Sequence, residues 1–206
     1  MKKILVFAAA AAFALVACDK NHDVEGSGSG NNQQSVAGLV LNELSGTDKF
    51  IELYNTTDKE ISLEGCYLVK YDSSKEGGKS TTWTGKAGMK IAAKGYVVLE
   101  SSDLADEAEG GDPNYAYESA NHVFKGGLSG KKNVFIELYS ANDEKLSEFK
   151  RGDEGAGWNQ VSGFNNDKKH TFSRVPNGTG NWAYADPTKG AANGAKTADL
   201  EHTPEM

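Results

Sequence analysis

The chain has 206 residues, and 29 acidic against 22 basic side chains give it a formal net charge of −7. That length suits one folded domain better than two. An acidic surface repels phosphate backbones, and Lys168-Lys169 is too small a basic patch to reverse this, so nucleic acid is excluded as the expected ligand.

In chain order, the first element is a secretory signal: basic Lys2 and Lys3, an apolar run from Ile4 to Ala17, then small residues. A membrane-spanning helix needs about 20 apolar residues, and this run is too short to persist as one. It ends in Leu15-Val16-Ala17-Cys18, which resembles the lipobox of bacterial lipoproteins. That resemblance implies a signal peptide over residues 1–17, cleavage before Cys18, and lipid such as palmitate on Cys18 as the membrane anchor. Several acyl chains together make such an anchor stable. The expected location is the cell envelope, on the outer membrane, facing the periplasm or the surface. With Cys18 so used, Cys66 is the one remaining thiol. No intramolecular disulfide is expected, and Cys66 reads as a small buried hydrophobe.

Residues 18–35 hold the lipidated cysteine and a stretch, DKNHDVEGSGSGNNQQS, with almost nothing apolar to bury. They are expected to form a flexible tether with a span of roughly 20 to 25 Å. From Val36 onward, short β-branched and aromatic runs alternate with Gly, Asn and Asp turns, which predicts antiparallel strands. They are placed near Leu39–Leu44, Phe50–Tyr54, Tyr67–Tyr71, Thr81–Thr84, Tyr96–Glu100, His122–Phe124, Val134–Tyr139, Leu146–Lys150 and His170–Arg174. The best helical stretch is Ser102–Glu109, no more than two turns long, with Ser102 or Asp103 as its cap. Residues 195–206 read as a polar C-terminal tail.

One pentapeptide, Phe-Ile-Glu-Leu-Tyr, occurs at 50–54 and again at 135–139. Strand periodicity sends Ile and Leu to one side and Phe, Glu and Tyr to the other. Two such strands, each with an apolar face, suit two packed antiparallel sheets.

The motifs also follow an order: Leu41-Asn42-Glu43-Leu44, then Phe50 to Asn55, then Ile61 to Leu68, then Ile91 to Leu99, then Phe135 to Tyr139. The series closes with Ser173 to Gly178, Trp182 and Gly190-Ala191-Ala192-Asn193. This series resembles the lamin tail domain family over about residues 38–193. The resemblance implies an all-β, immunoglobulin-like antiparallel sandwich with loop insertions over residues 36–194, and a binding or scaffolding role. It brings no catalytic residues. Residues 72–90 and 101–121 read as insertions, and Tyr67 stands where the family often has tryptophan.

No nucleophile elbow, zinc-helix or phosphate-loop pattern is present, and His22, His122, His170 and His202 are scattered, so no catalytic residue, cofactor or metal is expected. Gly126 to Lys131 reads as a turn. Asp103, Asp106, Glu107, Glu109 and Asp112 read as a solvated acidic loop rather than a calcium site. Arg151-Gly152-Asp153 spells an integrin-type tripeptide, and glycine-rich surroundings suggest an exposed turn. The candidate ligand site is Trp158, Asn159 and Gln160 with Asn165, Asn166 and Asp167. An aromatic plate beside amides and a carboxylate suits a sugar.

The expected function is a lipid-anchored, non-catalytic binding or scaffolding module that recognises a glycan or an envelope or host protein. The alternatives are a secreted hydrolase or its accessory domain, and a structural assembly module.

Overall fold

The two copies of the pentapeptide fall in two different sheets, as the alternation of their side chains requires. In the computed structural model, which describes residues 36–71, 78–105, 115–128, 134–151 and 170–200, the first copy is strand β2, Phe50–Asn55, and the second is strand β9, Val134–Tyr139. Ile51, Leu53, Ile136 and Leu138 are all fully buried between the sheets. Each such side chain contributes roughly 1.5 to 3 kcal/mol by leaving water.

Around β2, seven strands form one sheet: β1 (Leu39–Ser45), β7 (Tyr96–Ser101), β8 (Val123–Phe124), β11 (Thr171–Val175), β12 (Asn181–Ala185) and β13 (Lys196–Asp199) join it in the order β13-β12-β11-β1-β2-β7-β8. Around β9, β4 (Tyr67–Tyr71), β5 (Lys79–Thr84) and β10 (Lys145–Arg151) complete a four-stranded sheet in the order β10-β9-β4-β5. A short ribbon of β3 (Ile61–Ser62) and β6 (Lys90–Ile91) adds Ile61 and Ile91 to the core. The result is the expected immunoglobulin-like antiparallel β-sandwich. Among the described residues, β7 and β8 pair in parallel.

Cys66 is buried among these apolar side chains, and burial raises its thiol pKa, as suits a packing residue. Phe149 from β10 stacks on Phe172 from β11, and Trp182 meets Phe149 edge-on, closing one end of the core. A bulge at Asn42 interrupts β1, since Leu41 opposes Leu53 while Glu43 opposes Glu52. The extra residue sets two consecutive polar side chains, Asn42 and Glu43, on the outer face and returns Leu44 to the core.

Several expectations need correction. β3, β6, β12 and β13 were not expected as strands. His122 ends a 3-10 turn, Ala120–His122, and β8 begins only at Val123. The helix expected at Ser102 is a 3-10 turn over Ser102–Ala105, and its Asp103 N–H is capped by the Ser101 hydroxyl rather than by Ser102 or Asp103; residues 106–109 lie outside the described residues. Residues 196–200 are not free tail. β13 pairs with β12, and Leu200 packs into the core. Within the stretch read as an insertion at 72–90 runs β5, whose Trp83 is buried in the core with its indole N–H donated to the Asn121 carbonyl.

Candidate functional site

The six residues of the expected sugar site, Trp158, Asn159, Gln160, Asn165, Asn166 and Asp167, lie outside the described residues, as does Cys18. The described strand leading toward the six ends at Arg151. Arg151 corrects the reading of the integrin-type tripeptide. Its side chain is fully buried with the guanidinium carbon 5.1 Å from the centre of the Phe172 ring, so it is not part of an exposed turn; Gly152 and Asp153 lie outside the described residues. Of the acidic loop, only Asp103 is described, and it faces Lys49 at 3.8 Å. Among the described residues no group of three or more His, Cys, Asp or Glu is poised to hold a metal.

The structure offers two outer faces in place of that cluster, and the pentapeptide builds both. On the seven-stranded sheet the outward trio is Phe50, Glu52 and Tyr54, and the chain's own closing segment, residues 186–193, lies on it. Gly190 N–H donates to Glu52 Oε2 at 2.7 Å, and Asn42 Nδ2 donates to Glu52 Oε1 at 2.7 Å. Thr188 donates its N–H and hydroxyl to the two oxygens of Glu43, which also accepts from the Thr171 hydroxyl. Lys189 Nζ reaches Glu100 Oε1 at 2.9 Å and lies over the Phe50 ring. Asn193 ties the segment to the carbonyls of Asn42 and Arg174 and to the side chain of Asn177, which also meets Asn42.

Burial pushes Glu52 up to about 7, against the opposing hydrogen bonds from Asn42 and Gly190. Burial also raises Glu100, but the Tyr115 hydroxyl, Lys189 and the Glu118 N–H together hold it below the ordinary carboxylate value. The Tyr115 hydroxyl, bound to Glu100, is itself raised to about 12. The residues carrying the family resemblance, Asn42, Glu43, Glu52, Arg174, Asn177, Gly190 and Asn193, thus converge on a face closed by the protein itself.

On the four-stranded sheet the outward trio is Phe135, Glu137 and Tyr139, joined by Tyr67, Val69 and Tyr71 from β4. Tyr67 and Tyr139 stack with centroids 5.1 Å apart and planes 8° from parallel, while Tyr71 meets Phe135 edge-on at 5.5 Å. A shallow depression lined by Val69, Tyr71, Lys79, Phe135, Glu137 and Lys150 opens on this face.

Charges frame the rings. Glu137 accepts from Lys79 at 2.8 Å and faces Lys145 at 3.8 Å, and Glu148 lies between Lys145 at 2.5 Å and Lys150 at 3.5 Å. Burial raises Glu148, but Lys145 and Lys150 outweigh it and hold the carboxyl below its usual value. The Tyr67 hydroxyl donates to Asp143 Oδ1 and that of Tyr139 to Glu137 Oε2. Four rings with ammonium, carboxylate and phenol groups at their margins can hold a ligand that is apolar on its faces and polar at its rim.

No motif in the sequence had marked this face as a site. The signal was present in the outward trio of the second pentapeptide and in Tyr67 and Tyr71 two places either side of Val69.

Compared with known families, residues 25–153 match the model described as Lamin Tail Domain. No curated protein matches the chain. The matched span takes in the four-stranded sheet and stops short of β11, β12 and β13.

Proposed function

The chain belongs to the lamin tail domain family, and from that premise we propose that it is a non-catalytic, lipid-anchored binding module of the bacterial cell envelope, with the outer face of the four-stranded sheet as its ligand surface. The observation that carries this is the contrast between the two faces. One is covered by residues 186–193, whereas the other, among the described residues, carries four aromatic side chains and three lysines, with Tyr71, Phe135, Lys79 and Lys150 lining a shallow depression. The ligand this face suits best is a glycan. A sugar's C–H face lies against the ring of Tyr71 or Tyr139, and its hydroxyls bridge to Lys79, Lys150 and Glu137.

Anchoring rests on Leu15-Val16-Ala17-Cys18 following a basic start and an apolar run. Residues 18–35, whose composition is that of a tether able to give a domain reach from an outer membrane toward the periplasm or the cell surface, lie outside the described residues. Assembly through β13 is disfavoured, because Lys196 and Asp199 place charges along that edge of the large sheet.

The test is a panel of envelope glycans and peptidoglycan fragments, with envelope-protein extracts beside it, probed by the protein and by Tyr71→Ala. Glycan binding lost in the variant supports the reading. Capture of a protein that Tyr71→Ala leaves intact, with no glycan bound, overturns both the ligand class and the face.

A further inference from the structure

We propose that residues 186–193 form a pH-gated strap, held most firmly on the seven-stranded sheet in acidic media and loosened as the medium rises to and through neutral. The strap leaves β12 after Ala185 and returns at Lys196 to begin β13. Most of its residues are exposed, namely Asp186, Pro187, Lys189, Gly190, Ala191 and Ala192. The carboxylates beneath it are not, since Glu43, Glu52 and Glu100 are each 2% exposed or less. Polar contacts therefore seat it: Thr188 on Glu43, Gly190 on Glu52, Lys189 on Glu100, and Asn193 on Asn42, Arg174 and Asn177. Those contacts change when a carboxylate changes charge, because the backbone donors cannot.

The three glutamates differ in what faces them. Glu100 has the ammonium of Lys189, the Tyr115 hydroxyl and the Glu118 N–H, with the Glu118 carboxyl and His122 at greater range. Glu43 has the hydroxyls of Thr171 and Thr188 and the Thr188 N–H. Glu52 has the amide of Asn42 on β1 and the Gly190 N–H of the strap, with the Tyr96 phenol on β7 and the Glu43 carboxyl in its field. Glu43 is also its cross-strand partner in register. The hydrogen-bond donors to Glu52 are thus neutral and its charged neighbour is an anion, which is the arrangement that favours a proton.

Burial sets the midpoint of the closed form near 7, against an ordinary value of 4.5 once water reaches the group. The sign follows from that order. The closed form is fully favoured below 4.5, and the preference is lost as pH rises through 7. Between pH 5 and 8.5 the open fraction rises by about one to two orders of magnitude. Opening uncovers Phe50 and three carboxylates on adjacent strands.

The experiment is amide hydrogen exchange on the full-length protein from pH 5 to 8.5, corrected for the intrinsic rate. Protection at Thr188 and Gly190 is expected to fall about tenfold or more, while Ile51 and Leu53 stay protected, and Glu52→Gln should flatten the dependence. Protection that does not change with pH overturns the proposal, as does a pH dependence that survives in Glu52→Gln. Should that variant fail to fold, carbon-13 titration of the Glu52 carboxyl in the unaltered protein decides: a midpoint near 7 supports the strap, and one near 4.5 overturns it.

Discussion

Leu68 and Tyr67 are neighbours on β4 with opposite duties, and truncating each to alanine separates the core from the ligand face. Leu68 is fully buried among the apolar residues between the sheets. Leu68→Ala should cost about 3 kcal/mol, the sum of lost transfer energy and the cavity left behind. For a domain of this size about 1 kcal/mol lowers Tm by about 2 to 4 °C, so the expected drop is about 6 to 12 °C. Tyr67 packs flat on Tyr139 at 5.1 Å and donates to Asp143 on the surface. An aromatic pair of that kind contributes about 1 kcal/mol, so Tyr67→Ala should lower Tm by only about 2 to 4 °C. On the proposed ligand face the same change removes one side of the stacking surface. Glycan affinity should fall about tenfold or more, equivalent to about 1.4 kcal/mol. Calorimetric melting and titration of the two variants give both quantities. The reasoning fails if Tyr67→Ala melts as low as Leu68→Ala, or if it binds a glycan ligand as well as the unaltered protein does.

Three further outcomes follow from the same structure. The Glu52 carboxyl, raised to about 7 by burial, makes stability relative to Glu52→Gln fall by up to about 3 kcal/mol as pH rises from 4.5 through 7, read by urea melts at pH 4.5, 6 and 8; a flat difference refutes it. A Cβ on Gly85 would stand 1.9 Å from the Leu63 carbonyl oxygen in a backbone pinned by the bonds of Gly85 N–H to Cys66 and of Gly65 N–H to Gly85. Gly85→Ala should therefore cost about 3 kcal/mol in the same melts, far more than an exposed glycine such as Gly194. Cys18→Ala should move the protein from the membrane fraction to the soluble one, and retention after a high-salt wash would contradict lipid anchoring.

Strands with clean alternation were legible to the residue: Tyr67–Tyr71 and Val134–Tyr139 begin and end where the period of two places them. The missed strands lack that signal. β3 and β6 are two residues each, too short for any period, and β13 is a run of exposed, mostly polar residues held by pairing to β12 rather than by burial. Arg151 shows the converse limit. Its glycine-rich neighbours suggest an open turn, yet β10 carries its side chain inward to the Phe172 ring, a placement that only the packing of β10 against β11 decides. The candidate site was half legible. The outward direction of Phe135, Glu137 and Tyr139 follows from alternation, but which copy of the pentapeptide stays open depends on Gly190, which lies 138 residues from Glu52 along the chain.

That dependence explains how one pentapeptide serves two ends. Both glutamates sit mid-strand on an outer face, where a carboxylate must find donors or water. Glu137, itself buried, finds them in Lys79 and Lys145, whose side chains reach the solvent edge. Glu52 finds Asn42 and a backbone N–H, and the strap that supplies the second donor also shuts out water. The ammonium partners of Glu137 are themselves nearly half exposed, so their remaining donors face water. The partners of Glu52 are neutral and buried with it, and its Gly190 donor leaves only if the segment that excludes water leaves too. One copy therefore keeps its donors at the solvent edge, and the other holds the closing segment of the sandwich.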